Sequence, residues 1–169
     1  MTILICFLVL IGLVLSTVVV VGYASSQYNY AEVSQSFPIP PSRLWNFIRF
    51  VDLGTRDGVK SIEVLRQHNG TTIEWMVHTS HGGFRLFRIE EREPEQLTKV
   101  LVSSTFGVSG HWIYNLEEIP GGVRLRIEET SVIPSVWYRA YLLLRGKKLH
   151  LRRELRRIED FVNSLPEAR

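Results

Sequence analysis

The chain has 169 residues, a mass of 19.5 kDa and a formal net charge of +3. That length holds one domain of ordinary size and excludes a separate cofactor domain. Cys6 is the only cysteine, which excludes a disulfide scaffold, and 12 Gly with 7 Pro exclude collagen-like and proline-rich disordered classes.

Charge is distributed very unevenly. The first charged residue is Glu32, so all 20 Lys/Arg and all 17 Asp/Glu follow it. Before it, Ile3 to Val21 reads ILICFLVLIGLVLSTVVVV, with only Ser16 and Thr17 polar, and both hydroxyls can bond back to helix carbonyls. A helix rising about 1.5 Å per residue crosses a hydrocarbon core of about 30 Å in roughly 20 residues. Residues 1–23 are therefore expected to be a single-pass membrane anchor, followed by interfacial tyrosines (Tyr23, Tyr28, Tyr30). The alternative is a cleaved signal peptide, since Gly22 and Ala24 stand at −3 and −1 of a cut after Ala24. The lack of Lys or Arg before the run, and the run's length, favour the retained anchor. Arg43 and Arg49, some 20 residues downstream, lean the domain to the cytoplasmic side. Oligomeric state is open, because one Gly12-x-x-x-Ser16 step is a weak dimer signal.

Residues 24–31 read as a polar linker. A first strand follows at 32–37, stopped by Pro38, Pro40 and Pro41, and a short amphipathic helix at 42–51 with Leu44, Trp45, Ile48 and Val51 at helical spacing. After a loop at 52–58 the pattern is β. Strands are expected at 61–67, 71–79, 84–91, 97–105, 110–118 and 123–131, joined by turns at Asn69-Gly70, Ser80–Gly83, 93–95 and Pro120–Gly122. Such short-looped strands make an antiparallel meander. From about residue 135 the period becomes helical: Trp137, Tyr141, Leu144, Leu151, Leu155, Ile158 and Val162 fall on one stripe, ended by Pro166. The expectation is one helix of nearly 30 residues, with Gly146 as a bend or a close contact. Residues 164–169 remain as a tail.

The order strand, short helix, six strands, long helix resembles the helix-grip fold. Phe37-Pro-Ile-Pro-Pro-Ser-Arg-Leu-Trp45, Gly110-His-Trp-Ile-Tyr-Asn-Leu116 and Gly121-Gly-Val-Arg-Leu-Arg-Ile-Glu-Glu129 are similar to the START-like (SRPBCC) superfamily, which includes polyketide cyclases, plant pathogenesis proteins and lipid-transfer domains. The resemblance covers residues 32–163, about four-fifths of the chain. It implies an α+β domain, a seven-stranded curved antiparallel sheet around the C-terminal helix, with a pocket between them for an apolar or aromatic molecule. The superfamily shares no catalytic residues, so the resemblance implies a pocket and no particular reaction.

Candidate wall residues are Trp75, Phe84, Phe106, Trp112 and Tyr114 on the sheet side. Trp137 and Tyr141 stand one turn apart on the helix that the resemblance makes the pocket wall. Each serves equally well in a plain core. Period two places Glu129 on the apolar face with Val123, Leu125 and Ile127, where a carboxylate can anchor a ligand or act as acid or base. Arg88 is expected beside Phe84 and Leu86 as its partner in an apolar cavity, the alternative being that both lie at strand ends where solvent reaches them. His78, His81 and His111 show no metal-ligand spacing, and no catalytic constellation, metal site or cofactor is assigned. The glycine pairs at 82–83 and 121–122 precede no helix and make no phosphate loop.

Residues 139–157 hold eight Lys/Arg and one acid, Glu154, a net +7 in a chain of +3. Arg145, Lys147, Lys148, Arg152, Arg153 and Arg156 are the candidates for facing anionic headgroups, the alternative being a solvated helix exterior. Nucleic acid is disfavoured, since no aromatic–basic interleaving accompanies the charge. The expected function is a membrane-anchored domain binding or transferring a hydrophobic small molecule, lipid or quinone-like. The alternatives are an accessory protein without ligand, favoured by a filled interior, and a cyclase- or dehydratase-type enzyme using Glu129 or a histidine.

Overall fold

The computed structural model describes residues 2–49, 59–68, 71–80, 83–93, 96–105 and 107–165. The expected loop at 52–58, the turns at 69–70 and 94–95, the stop at Pro166, and the candidates His81 and Phe106 lie outside them.

The chain runs α1 (Thr2–Ala24), β1 (Tyr28–Phe37), α2 (Pro41–Arg49), β2 (Val59–His68), β3 (Thr71–Thr79), β4 (Phe84–Glu93), β5 (Gln96–Ser104), β6 (Ser109–Ile119), β7 (Gly122–Val132), α3 (Val136–Arg145) and α4 (Leu149–Ser164). The strands form one seven-stranded sheet in the order β1-β7-β6-β5-β4-β3-β2, with every neighbour antiparallel. The meander from β2 to β7 follows from its short turns. β1 closes onto β7 at one edge, β2 forms the other edge, and α2 packs beside β6 and β7. This is the helix-grip arrangement.

Burial follows the sequence period on the late hairpin. Val123, Leu125, Ile127 and Glu129 of β7 are fully buried at 0 % exposure, and Trp75, Val77, Tyr114 and Leu116 are buried with them. Leu44 and Ile48 of α2, and Leu151 and Ile158 of α4, complete this core from the helices. Each fully buried aliphatic side chain contributes about 1.5–3 kcal/mol.

Three expectations are corrected. The first strand begins at Tyr28, four residues early: Asn29 and Ala31 alternate inward as Val33 does, and a polar Asn at an inward position hid the alternation. On β4, Phe87 pairs with Trp75, while Arg88 pairs with Glu74 and Phe84 with His78. Phe84, Leu86 and Arg88 therefore share the face away from the core. Both faces of β4 are apolar in part, so its parity was ambiguous. Finally, the long helix is two helices. Ser135 Oγ accepts from Tyr138 N at 3.3 Å and caps α3, and Gly146 ends it at φ 92°, ψ 138°. That backbone conformation is open to glycine and strained for other residues.

α1 packs on α3 at one tight point. A side chain at Gly22 would come within 2.2 Å of the Val136 carbonyl oxygen. The segment Ile3–Ala24 has a mean hydropathy of 3.2 and is long and apolar enough to cross a membrane. Thr17 Oγ1 does bond back, to Leu13 O at 2.8 Å.

Gly146→Ala is expected to destabilise the domain by about 1–3 kcal/mol, because no steric neighbour is displaced and the whole cost is backbone strain. Thermal unfolding of the detergent-solubilised chain followed by circular dichroism checks this. An unchanged midpoint would show that the break tolerates a side chain.

Candidate functional site

Cross-strand partners share a face, so the register defines rows of side chains on the sheet surface that meets α4. One row reads Ile89, Lys99, Trp112, Glu129, Ala31. The next reads Trp75, Phe87, Leu101, Gly110, Ser131, Asn29. An apolar surface thus carries two ionisable groups, Lys99 and Glu129, both buried.

α4 brings partners for both. His150 and Glu154 are four residues apart and Arg157 three further, so the three lie along one side of the helix. Glu154 accepts from Tyr114 Oη at 3.0 Å and from Arg157 at 2.7 and 3.2 Å, and lies 3.7 Å from Lys99 Nζ. Lys99 Nζ also stands 4.7 Å from the Tyr114 ring centre.

Beside it runs a second hydrogen-bonded chain. Glu129 Oε1 accepts from Ser131 Oγ at 3.0 Å and lies 3.1 Å from His150 Nδ1, while His150 Nε2 is 2.7 Å from the Tyr138 hydroxyl. In the neutral tautomer that satisfies both contacts, Nδ1–H donates to the carboxylate and Nε2 accepts from the phenol. A carboxylate orienting an imidazole against a hydroxyl is the geometry by which a proton can be moved to or from that hydroxyl. Burial pushes the Tyr138 phenol above its ordinary value, against the opposing pull of the Arg85 guanidinium. Glu129 Oε2 is buried and has no hydrogen-bond partner among the described residues.

The aromatic wall is next to this chain. Trp75 stacks on Phe87 with ring centres 5.5 Å apart, and Phe87 meets Trp112 at 6.3 Å with rings tilted 44°. Trp112 is half-buried and is the direct cross-strand partner of Glu129. Of the sequence candidates, Trp75, Trp112, Tyr114 and Glu129 are brought together on this face. Phe84 is on the opposite face. Trp137 is 54 % exposed on α3, and Tyr141, at 37 %, stacks on Tyr138 with ring centres 6.0 Å apart. His78 contacts Glu63 at 3.3 Å on the outer face. Arg145, Lys147, Lys148, Arg152, Arg153 and Arg156 are all exposed, whereas Arg139 and Arg157 of the same basic run are turned inward.

Sequence reasoning missed His150 and Tyr138. A signal was present for His150: it precedes the buried Leu151 and stands four residues before the lone acid of a basic run. Nothing local marked Tyr138, whose role depends on where α3 ends. No group of three His, Cys, Asp or Glu positioned to hold a metal occurs among the described residues. A cavity of about 360 Å³ opens at the edge of this face, where Asn29 lines it together with the end of α1 and α3.

Solved structures share this fold at low sequence identity. A START superfamily protein from Mycobacterium smegmatis superposes with a TM-score of 0.58 at 13 % identity, over 79 % of this chain and 99 % of that one. The Zhui aromatase/cyclase from a Streptomyces species gives 0.61 at 11 %, over 80 % and 92 %. Ara h 8.0201 gives 0.56 at 16 %, over 82 % and 99 %. The chain therefore has the START-like helix-grip fold. No family model and no curated protein matches the sequence.

Glu154→Leu leaves Lys99 and Arg157 without their shared anion and is expected to cost about 3–5 kcal/mol. The triple change Lys99→Met, Glu154→Leu, Arg157→Leu should recover most of that loss. Urea unfolding midpoints check both, and a single variant as stable as the parent would refute the ion network's role. A second expectation concerns Tyr138. Its raised folded-state value favours the neutral phenol, so this contribution to stability is complete below the unfolded value of about 10 and is lost as pH rises through the folded one. Tyr30 is raised too, by its own desolvation and by Glu128 and Glu32 beside it, so ultraviolet phenolate titration should show late-ionising tyrosine, and Tyr138→Phe should remove one phenol from that late step.

Proposed function

We propose that the chain is a membrane-anchored domain that binds a hydrophobic small molecule, a lipid or a quinone-like compound, between the sheet and α4. The observation that carries this reading is the juxtaposition of the Trp75–Phe87–Trp112 wall with the bare Oε2 of buried Glu129. Apolar walls with a few convergent polar groups are what small-molecule sites consist of. An unsatisfied buried carboxylate oxygen costs about 1–3 kcal/mol or more, which a ligand hydroxyl or amide donating to it would offset. The fold shared with a START superfamily protein and an aromatase/cyclase supports the same reading. The anchor is residues 1–23, by length and apolarity, and the binding domain is residues 32–163, preceded by the residues from Tyr28 that belong to its first strand.

A second reading rests on a separate observation. The Tyr138–His150–Glu129 chain is suited to acid–base work on a polyketide-like or other enolisable ligand held against the same wall. It adds a reaction to the binding and does not replace it.

Native mass spectrometry and lipid extraction of the detergent-purified chain test the binding reading. A defined hydrophobic compound should co-purify, and Trp112→Ala should lose it while the thermal unfolding transition persists. A chain that carries no such compound from its native membrane, with or without the substitution, favours the accessory role. Conversion of the co-purified compound by the parent chain, abolished by His150→Gln with binding intact, would establish the enzymatic reading.

A further inference from the structure

The end of α1 is fastened to α3 by one arginine. Arg139 Nε donates to Gly22 O at 2.9 Å, and its Nη1 donates to Ile133 O at 3.0 Å and Pro134 O at 2.9 Å. Three carbonyls thus hold the guanidinium at the negative end of the α1 dipole. Beside it opens the cavity of about 360 Å³. Val21, Ile133 and Leu142 give it an apolar side, and Asn29, Arg139 and Lys147 a polar one. Asn29 is 5 % exposed, and its amide donates to Lys147 O at 3.5 Å, which fixes the backbone that carries the lysine. The Lys147 ammonium makes no ion pair among the described residues.

The surroundings are also one-sided. No Asp or Glu occurs before Glu32, and none between residues 130 and 153. The two cations of the cavity therefore have no acid nearby in sequence on either of the elements that build it. On α3, Trp137, Tyr141 and Leu144 recur at helical spacing and are 54 %, 37 % and 81 % exposed. Val20, Val21 and Tyr23 at the adjoining end of α1 are exposed as well. Aromatic and leucine side chains on one face of a short helix, with Arg145, Lys147 and Lys148 at its end, are the pattern of a helix lying in a membrane interface. A basic pocket at the end of a spanning helix is positioned for a lipid headgroup.

We infer that the junction of α1 and α3 binds the phosphate-bearing headgroup of an anionic glycerophospholipid, with Lys147 and Arg139 facing the phosphate and the acyl chains running along α1. The inference rests on the proposed membrane anchor and concerns a site distinct from the sheet–α4 interior. The exposed apolar side chains of the lining, Val21 at 41 % and Leu143 at 43 %, favour a lipid over a free phosphate ion, which would leave them uncovered.

The test uses the full chain in nanodiscs of phosphatidylcholine containing a minor share of phosphatidylglycerol, with the lipids retained by the protein counted by native mass spectrometry. Phosphatidylglycerol should be enriched on the protein over its share in the disc. Lys147→Gln should cut the enrichment about fivefold, the effect of one cation near an anionic surface, while Lys148→Gln, whose side chain lies outside the cavity, leaves it unchanged. Leu143→Trp, which fills the lining without touching charge, should lower retention of both lipids. No enrichment, or equal losses with Lys147→Gln and Lys148→Gln, would overturn the site in favour of diffuse surface charge. Displacement by millimolar inorganic phosphate would also overturn it, by showing a phosphate site indifferent to lipid. Carbonate extraction of the parent chain separates the premise from the inference. If the chain is extracted, the anchor reading fails, and Lys147-dependent binding of dihexanoyl phosphatidylglycerol in detergent still decides the site.

Discussion

Two side chains of α4, His150 and Glu154, face a sheet that answers each of them, and the placement of everything else follows from that match. Lys99 and Tyr114 meet Glu154, and Glu129 meets His150. Charges buried without partners are expensive, and breaking one such pair costs several kcal/mol. The match therefore selects one rotation and one height of the helix over the sheet. It also selects strand register. A slip of β7 by one residue would turn Glu129 to solvent and leave Glu128 or Thr130 against the helix. The aliphatic contacts of Leu151 and Ile158 supply most of the attraction, but they are tolerant of small rotations in a way that hydrogen bonds of 3.0 and 3.1 Å are not.

Gly146 lets the same apolar stripe serve two surfaces. In a continuous helix Trp137, Tyr141 and Leu144 would lie above Leu151, Leu155 and Ile158 and face the sheet with them. The break at φ 92° redirects the chain, so that the first set is exposed beside α1 and the second set is buried or half-buried. Ala140 and Leu142 become the buried positions of α3 instead. The basic run is divided in the same manner: Arg139 fastens α1, Arg157 completes the Glu154 network, and the six cations between and around them remain outside.

What the sequence revealed, and what it did not, follows from how local each signal is. The late hairpin was legible because β6 and β7 alternate cleanly, so that Glu129 falls inward by counting from Val123. The apolar span and the meander were legible for the same reason, being patterns within one element or one turn. β4 was not, because Phe84 and Leu86 on one parity compete with Phe87 and Ile89 on the other, and only pairing with Trp75 decides. Asn29 reads as linker in the sequence because its inward amide finds its partner at Lys147, 118 residues away. His150 and Tyr138 are neighbours only because the chain turns between them at Gly146. A stripe drawn through an unbroken helix assigns Tyr141 to the interior and overlooks Tyr138.

Tyr138 is the residue at which the two surfaces of the C-terminal region meet. Its ring lies between the His150 ring and the Tyr141 ring, at 6.0 Å from each, and its hydroxyl contacts His150 at 2.7 Å. Tyr141 belongs to the exposed stripe of α3, and His150 to the buried chain that ends at Glu129. α3 is joined to α4 by residues 146–148 along the chain and by the Tyr138–His150 contact, and to α1 through Gly22, Val136 and Arg139. The Tyr138–His150 contact thus crosses the Gly146 break and ties α3 to the interior of the domain. One tyrosine hydroxyl and one imidazole thus stand between the exposed stripe of α3 and the buried Glu129 carboxylate.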